Sequence, residues 1–307
     1  MSNTFTVKSQ GGWLYSLWKF SRPHTIIGTT LSALGLYLIT IALSDSSFSV
    51  VPVFGAWVAC VCGNIYIVGL NQLEDIAIDK INKPNLPLAS GDFSLFTGKL
   101  IVGITGIFAL IIAIFQGKYL FGMVVVSLAI GTAYSLPPIR LKRFPFWAAV
   151  CIFSVRGAIV NLGLYLHYSW ILKQPITIPL VVWVLTLFVL VFTFAIAIFK
   201  DIPDMEGDLQ YNISTLSLKL GKEAVFNLAM QVITFCYAGI ILVGLFRLAE
   251  VNSIFLIISH VIPLVWMWLR SQQVELADKS AIASFYQFIW KLFFVEYLIF
   301  PIACLLA

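Results

Sequence analysis

Residues 51–82, VPVFGAWVACVCGNIYIVGLNQLEDIAIDKIN, carry no charge from Val51 to Leu73 and then place Glu74, Asp75 and Asp79 in quick succession. About 20 consecutive apolar residues are enough for a helix to cross the hydrocarbon core of a bilayer. The stretch therefore reads as a membrane-crossing helix that delivers carboxylates to its exit point. Asn71, Asp75 and Asp79 stand at i, i+4 and i+8, so a helix continuing through them lines the three on one face. Glu74 points elsewhere. The two aspartates would sit about 6 Å apart, close enough to share a divalent cation.

The rest of the chain agrees with this reading. Of 307 residues, 60% are apolar and 11% charged, with a mean hydropathy of +0.97. Soluble domains average about 45–50% and about 25%. So few charges cannot clothe a soluble surface of this size, and 25 Phe, 11 Tyr and 9 Trp exclude disorder and disulfide-scaffold classes. The net charge of +5 comes without a basic stripe interleaved with aromatics, so no nucleic-acid partner is expected. Nor does anything point to an obligatory protein partner. Cys60, Cys62, Cys151, Cys236 and Cys304 all fall inside apolar stretches and read as small packing residues. The opening MSNTFTVKSQGGW resembles neither a cleaved signal nor an Arg/Ser-rich transit segment.

Nine stretches are long and apolar enough to span, near 26–43, 51–70, 96–115, 119–136, 145–166, 177–199, 224–246, 253–269 and 285–306. Alternating patterning is absent, which excludes a β-barrel. The expected fold is an all-α, polytopic membrane protein of about nine helices around a central cavity. Nine spans put loops 71–95, 137–144, 200–223 and 270–284 on the side of the N-terminus. That side holds most of the 19 basic residues, from Lys8, Lys19 and Arg22 to Arg270 and Lys279, against Lys118, Lys173 and Arg247 opposite. The positive-inside rule makes the first side cytoplasmic. Most acids share it, with Asp45 and Glu250 facing the other way and Glu296 inside the last span. Topology does not ask for that clustering of acids, so a chemical reason is needed.

A second acidic group, FKDIPDMEGDLQ at 199–210, follows the sixth span. Asp201, Asp204 and Asp208 stand at i, i+3 and i+7, again on one helical face, and Pro203 predicts a kink or restart of the helix there. Asp75/Asp79 and Asp204/Asp208 are offset by 129 residues. The pattern predicts a weak internal duplication within a single domain over 1–307, with one part near 20–144 and another near 145–307. The two acidic faces would oppose one another across the cavity.

Several carboxylates beside hydrocarbon cannot all stay ionised without cations. Hard oxygen donors suit Mg²⁺, which keeps waters and takes one or two carboxylates plus substrate phosphates. Lys83, Arg140, Lys142, Arg143 and Lys200 are placed to meet the remaining phosphate oxygens. A diphosphate handled in a membrane cavity implies a lipid-borne one, hence an isoprenyl diphosphate. A transporter is the rival class, since intramembrane charges also mark ion paths. Against it, the acids gather at one surface and form no relay across the bilayer.

At these residues the chain resembles the UbiA superfamily of intramembrane aromatic prenyltransferases. Asn71, Asp75 and Asp79 are similar to its first motif, and Asp204 with Asp208 to its second; the nine spans fit as well. FSRPHTIIGTTLS, YIVGLNQLEDIAIDKINKPNLPLASGDFS, GTAYSLPPIRLKRF, FKDIPDMEGD and SFYQFIWKLFFVEY are similar to the cyanobacterial branch that transfers phytyl groups to homogentisate. That resemblance implies a thylakoid or plasma membrane location, phytyl diphosphate and homogentisate as substrates, and Mg²⁺ held by Asp75, Asp79, Asp204 and Asp208. It also implies loss of CO₂ and formation of 2-methyl-6-phytylbenzoquinol on the route to tocopherol. Asn71 would orient one metal ligand, and Asp201 would join the set. The basic residue that family members carry after the Tyr of the span 4–5 loop, Tyr134 here, falls to Arg140 or Lys142. Arg22 and Arg156 are candidates for the acceptor carboxylate and His24 for the phenol proton. Sister reactions remain open: geranylgeranyl or solanesyl tails, 4-hydroxybenzoate or chlorophyllide acceptors. His167 and His260 read as interfacial, and Glu296 as paired with Lys291 or across helices.

Overall fold

A computed structural model describes residues 12–44, 46–211 and 213–307; Lys8 and Asp45, used above to orient the chain, lie outside them. Among the described residues the regular structure is helical throughout. A short α1 (Trp13–Phe20) precedes the first long helix, α2 (Pro23–Ala42), and α3 (Val50–Glu74) runs into the small helices α4 (Ile76–Asn82) and α5 (Pro87–Ser90). Next come α6 (Leu95–Gln116) and α7 (Lys118–Ser135). The fifth crossing is composite: α8 (Pro145–Phe153), a wider π turn over Ser154–Ile159, and α9 (Val160–Ile171). Then α10 (Leu180–Phe199) leads into α11 (Asp201–Gln210) and α12 (Leu216–Leu220), followed by α13 (Lys222–Leu245), α14 (Ser253–Ser271) and α15 (Lys279–Leu305).

Nine of the described helical segments are long and apolar enough to cross a membrane, and they coincide with the nine expected spans. The chain is a multi-pass membrane protein. The ends differ where polar caps start helices ahead of the apolar run. Asn252 Oδ1 accepts from the Phe255 N–H at the head of α14, where the observed start, Ser253, is the expected one. Asp278 accepts from the Ser280 N–H ahead of α15, which begins six residues before the hydropathy rises. Such caps satisfy amides that a helix cannot satisfy within itself.

The helices are apolar outside as well as inside. Phe108, Phe115, Leu187, Phe235 and Trp266 are exposed, as a lipid solvent requires. The interior is aromatic: Tyr37, Tyr168, Phe192, Phe293, Tyr297 and Phe300 are almost fully buried in one cluster that draws on residues from Ala33 to Cys304. A smaller cluster of Phe20, Leu70, Leu88, Phe93 and Val102 pins α1 and α5 to the ends of α3 and α6. Trp13, Leu14, Tyr15 and Trp18 of α1 stay exposed, the composition of a helix lying in the membrane interface.

Two expectations about single residues are corrected. His167 and His260 are not interfacial but wholly buried. His260 receives its partner from the next helix: Nε2 lies 2.9 Å from Glu296 Oε1, while Nδ1 meets the Leu256 carbonyl at 2.6 Å. Glu296 therefore pairs across helices, with His260 and not with Lys291. Neither side chain is exposed, and the pair engages Oε1 alone, leaving Glu296 Oε2 buried without a hydrogen-bond partner.

Candidate active site

The first motif does not lie on one continuous helix. The helical path breaks at Asp75 (φ −114°, ψ 16°), with α3 ending before it and α4 starting after it. The i, i+4, i+8 face is thereby interrupted, yet the residues stay linked. Asn71 Nδ2 donates to Asp75 Oδ2 at 3.1 Å, and the Asp79 N–H donates to the Asp75 carbonyl at 2.7 Å. Arg22 Nη2 in turn donates to Asn71 Oδ1 at 3.2 Å. Arg22 holds a left-handed backbone (φ 53°) ahead of Pro23, a strained position for a residue with a side chain. The second motif restarts as foreseen. The turn falls at Lys200, so Pro203 sits in the first turn of α11, where its missing N–H costs nothing.

Asp75, Asp79, Asp201, Asp204 and Asp208 all line one cavity of about 910 Å³, as do Asn71, Lys83, Lys142 and Lys200. Among the described residues no three acidic, imidazole or thiol side chains are drawn together closely enough to hold a metal as they stand. Protein cations hold the carboxylates instead. Lys142 Nζ pairs with Asp75 Oδ1 at 2.7 Å, Lys83 pairs with Asp204, and Lys200 Nζ lies 3.6 Å from Asp201. Lys200 also donates to Tyr134 Oη at 3.4 Å. Arg140 reaches the same Asp75 oxygen at 3.2 Å and the Glu74 carbonyl at 3.4 Å. It does so from an adjoining hollow of about 300 Å³ that Lys142 and Arg143 share, and it does not line the main cavity. Of the two basic residues left open by the sequence, Lys142 is the one that faces both spaces.

Among the described residues two aspartates have no cation within ion-pair distance. Asp79 and Asp208 are buried, and Asp79 Oδ2 has no hydrogen-bond partner. Burial pushes the Asp79 carboxyl up to about 6, with Asp75 and Asp204 adding to the shift against Arg22 and Lys83. Burial likewise pushes Asp208 up to about 7, helped by Asp204 and Asp201. Asp201 is raised by burial too. Lys142 is lowered by burial against the pull of Asp75. Asp79 and Asp208 thus stand where a bound proton or a cation is favoured.

Arg156 lines the same cavity from the π turn of the fifth crossing. Gly157 makes that turn possible: a Cβ there would stand 2.6 Å from the Leu190 Cα of α10. No carboxylate reaches Arg156 among the described residues. Its guanidinium instead lies over Trp290 (5.0 Å) and Phe293 (5.8 Å) of α15. His24 packs against the same Trp290, with ring centroids 4.8 Å apart and the planes tilted by 53°. Trp290 and Tyr286 line the cavity beside them. Within SFYQFIWKLFFVEY the sequence alone marks no residue as part of the site. Tyr286, Trp290 and Phe293 recur there at helical spacing, but an aromatic stripe also packs cores, and only the fold distinguishes the two. Asn82 was missed as well. It links α4 to α11 by accepting the Gly207 N–H at 2.9 Å.

Residues 29–292 match the UbiA prenyltransferase family. The chain is 55% identical over 294 residues to homogentisate phytyltransferase of Synechocystis sp., covering 94% of this chain and 96% of that one. It is 40% identical over 295 residues to homogentisate geranylgeranyltransferase of Hordeum vulgare, covering 94% and 72%. In fold it is similar to a UbiA homologue from Archaeoglobus fulgidus bound to GPP and Mg²⁺, with a TM-score of 0.64 at 16% identity over 95% of this chain and all of that one.

Proposed function

The chain belongs to the UbiA prenyltransferase family, and from that premise we propose that it transfers a phytyl group from phytyl diphosphate to homogentisate. The observation that carries this reading is one cavity lined both by five aspartates from two motifs and by Arg156 with Trp290. The name of the Synechocystis relative supports the choice of substrates. The substituted benzoquinol would feed tocopherol synthesis. The chain acts as one domain, with both acidic motifs on the cytoplasmic face of a cyanobacterial membrane.

The C–O bond of the phytyl diphosphate breaks and diphosphate leaves, while a C–C bond forms between the phytyl carbon and a ring carbon of homogentisate. One proton leaves that ring carbon. The carboxyl departs as CO₂, and one proton is taken up at the benzylic carbon, giving 2-methyl-6-phytylbenzoquinol.

The donors present fit Mg²⁺: buried carboxylate oxygens, one of them without any partner, and excess negative charge around Asp79 and Asp208. Asp75, Asp79, Asp204 and Asp208 would hold it, Asp201 would join them, and Asn71 would orient Asp75. When bound, Mg²⁺ supplies charge neutralisation to the leaving diphosphate. Lys83, Lys142 and Lys200 now neutralise aspartates and would turn to phosphate oxygens, with Arg140 steadying Asp75 from behind. Tyr134 positions Lys200. Tyr286 and Trp290 offer ring faces to an allylic cation, and the apolar walls keep water from it. Arg156 and Arg22 are the cations available to the acceptor carboxylate, and His24 lies within the same space for the phenol.

The test is a matrix of purified protein in lipid nanodiscs against radiolabelled aromatic acceptors and prenyl diphosphates of several lengths. Homogentisate with phytyl diphosphate is expected to give the fastest formation of labelled lipid. Faster transfer of geranylgeranyl would move the assignment to the activity named for the barley relative. No product with homogentisate, alongside product with 4-hydroxybenzoate or chlorophyllide, would overturn it.

A further inference from the structure

We propose that Asn82 is a positioning residue that sets the distance between the two aspartate motifs. This rests on the reading that both motifs hold one Mg²⁺–diphosphate. Asn82 ends α4, the helix of Asp79, and faces α11, the helix of Asp204 and Asp208. Its Oδ1 accepts the Gly207 N–H at 2.9 Å, and its Nδ2 lies 3.5 Å from Asp208 Oδ1. The approach is close enough that a Cβ on Gly207 would stand 2.4 Å from that same Oδ1. Position 207 therefore has to be glycine for the contact to exist.

The physical need is plain. Asp79 and Asp208 are buried carboxylates with no lysine paired to either among the described residues. Like charges on facing helices push them apart, and the cation that reconciles them binds only if the spacing is already held. A ligand set loses affinity when its donors are free to drift by about 0.5 Å. A neutral amide gives what a lysine cannot: its oxygen grips the backbone of α11, and its nitrogen offers Asp208 a hydrogen without adding charge that would compete with the metal. Lys83–Asp204 joins the same two segments one residue further on, but that ion pair is released when Lys83 turns to phosphate. Asn82–Gly207 involves no charged group and persists in both states.

Two measurements test this. Spin labels placed at Lys80→Cys and Leu209→Cys, both exposed, report the separation of α4 and α11 without any ligand, in a background whose five native cysteines are replaced. Calorimetric titration with Mg²⁺ and pyrophosphate reports the affinity of the assembled site. Asn82→Ala is expected to broaden or lengthen the label distance and to weaken Mg²⁺-dependent pyrophosphate binding about tenfold. The KM for the aromatic acceptor should stay within about twofold. If Asn82→Ala does not accumulate folded, Gly207→Ala displaces the same oxygen and is expected to give the same losses. In the double variant they should not add, since the small side chain at 82 makes room for the methyl group. An unchanged distance distribution, with pyrophosphate affinity within about twofold, would overturn the proposal. So would an acceptor KM that rises in step with the pyrophosphate Kd. If the wild type fails to bind Mg²⁺–pyrophosphate while Asn82→Ala still alters the distance, the diphosphate reading falls and the positioning role stands.

Discussion

At the scale of single residues, the site is a balance of unlike charges in which carboxylates outnumber the cations that reach them. Removing one carboxylate oxygen acceptor without changing size, as in Asp75→Asn or Asp204→Asn, is expected to lower kcat/KM by about a thousandfold or more. Loss of one well-placed electrostatic partner at a reacting centre already costs about a hundred- to a thousandfold. Size-exclusion profiles should be unaltered; activity within tenfold of wild type would remove these residues from the machinery. Arg156→Leu is expected to raise the acceptor KM while the diphosphate Kd stays put. An unchanged acceptor KM with normal expression makes Arg156 structural.

The same balance predicts a pH dependence. Asp79 and Asp208 stand at about 6 and about 7 in the folded protein. In the unfolded chain both return to about 3.9. Between about pH 4 and pH 7 the folded state therefore carries protons that the unfolded state has lost, and stability falls as pH rises through that window. Asp92, held low by Lys19, acts only below it. The part of the pH dependence that these groups cause is read by comparison: between pH 5 and pH 8 the melting midpoint of metal-free protein should fall more in the wild type than in Asp208→Asn, and Mg²⁺ with pyrophosphate should offset the difference at the upper end. The same pH dependence in Asp208→Asn and wild type would contradict the burial of that carboxyl.

At the scale of elements, function depends on places where helices stop being regular. The break at Asp75, the turn at Lys200 and the π turn at Ser154–Ile159 each deliver a polar group from an apolar crossing. The proline at 203 made the second legible. The first was not, because Gln72, Leu73 and Ile76 are ordinary helix residues, and the break answers to packing against α11 and the span 4–5 loop. The π turn carries no residue signature, since glycine occurs widely in membrane helices. Gly157→Ala would push that turn off Leu190. Overpacking of this kind costs about 1–3 kcal/mol. The expected result is a lower melting midpoint with impaired turnover of the acceptor. Wild-type values for both would show that the turn tolerates the methyl group.

At the scale of the whole molecule, the bundle brings together motifs more than a hundred residues apart at one end of a cavity that continues among apolar helices. Because the aspartates meet only there, activity should vanish in excess chelator and return with Mg²⁺. Full turnover in chelator would exclude the divalent cation.

The sequence by itself determined the class of fold, the nine crossings among the described residues and the two groups of aspartates that the cavity brings together. Each of these follows from local physics: hydrocarbon demands runs of apolar helix, and ionised groups beside it are too costly to be incidental. Only the tertiary structure decided which cations face which aspartates, that Arg156 rests on Trp290 rather than on a carboxylate, that His260 belongs to Glu296, and that Asn82 grips Gly207. Those pairings join residues on different helices. Their geometry depends on how helices cross and where they break, and no spacing along one strand of sequence encodes a distance between two.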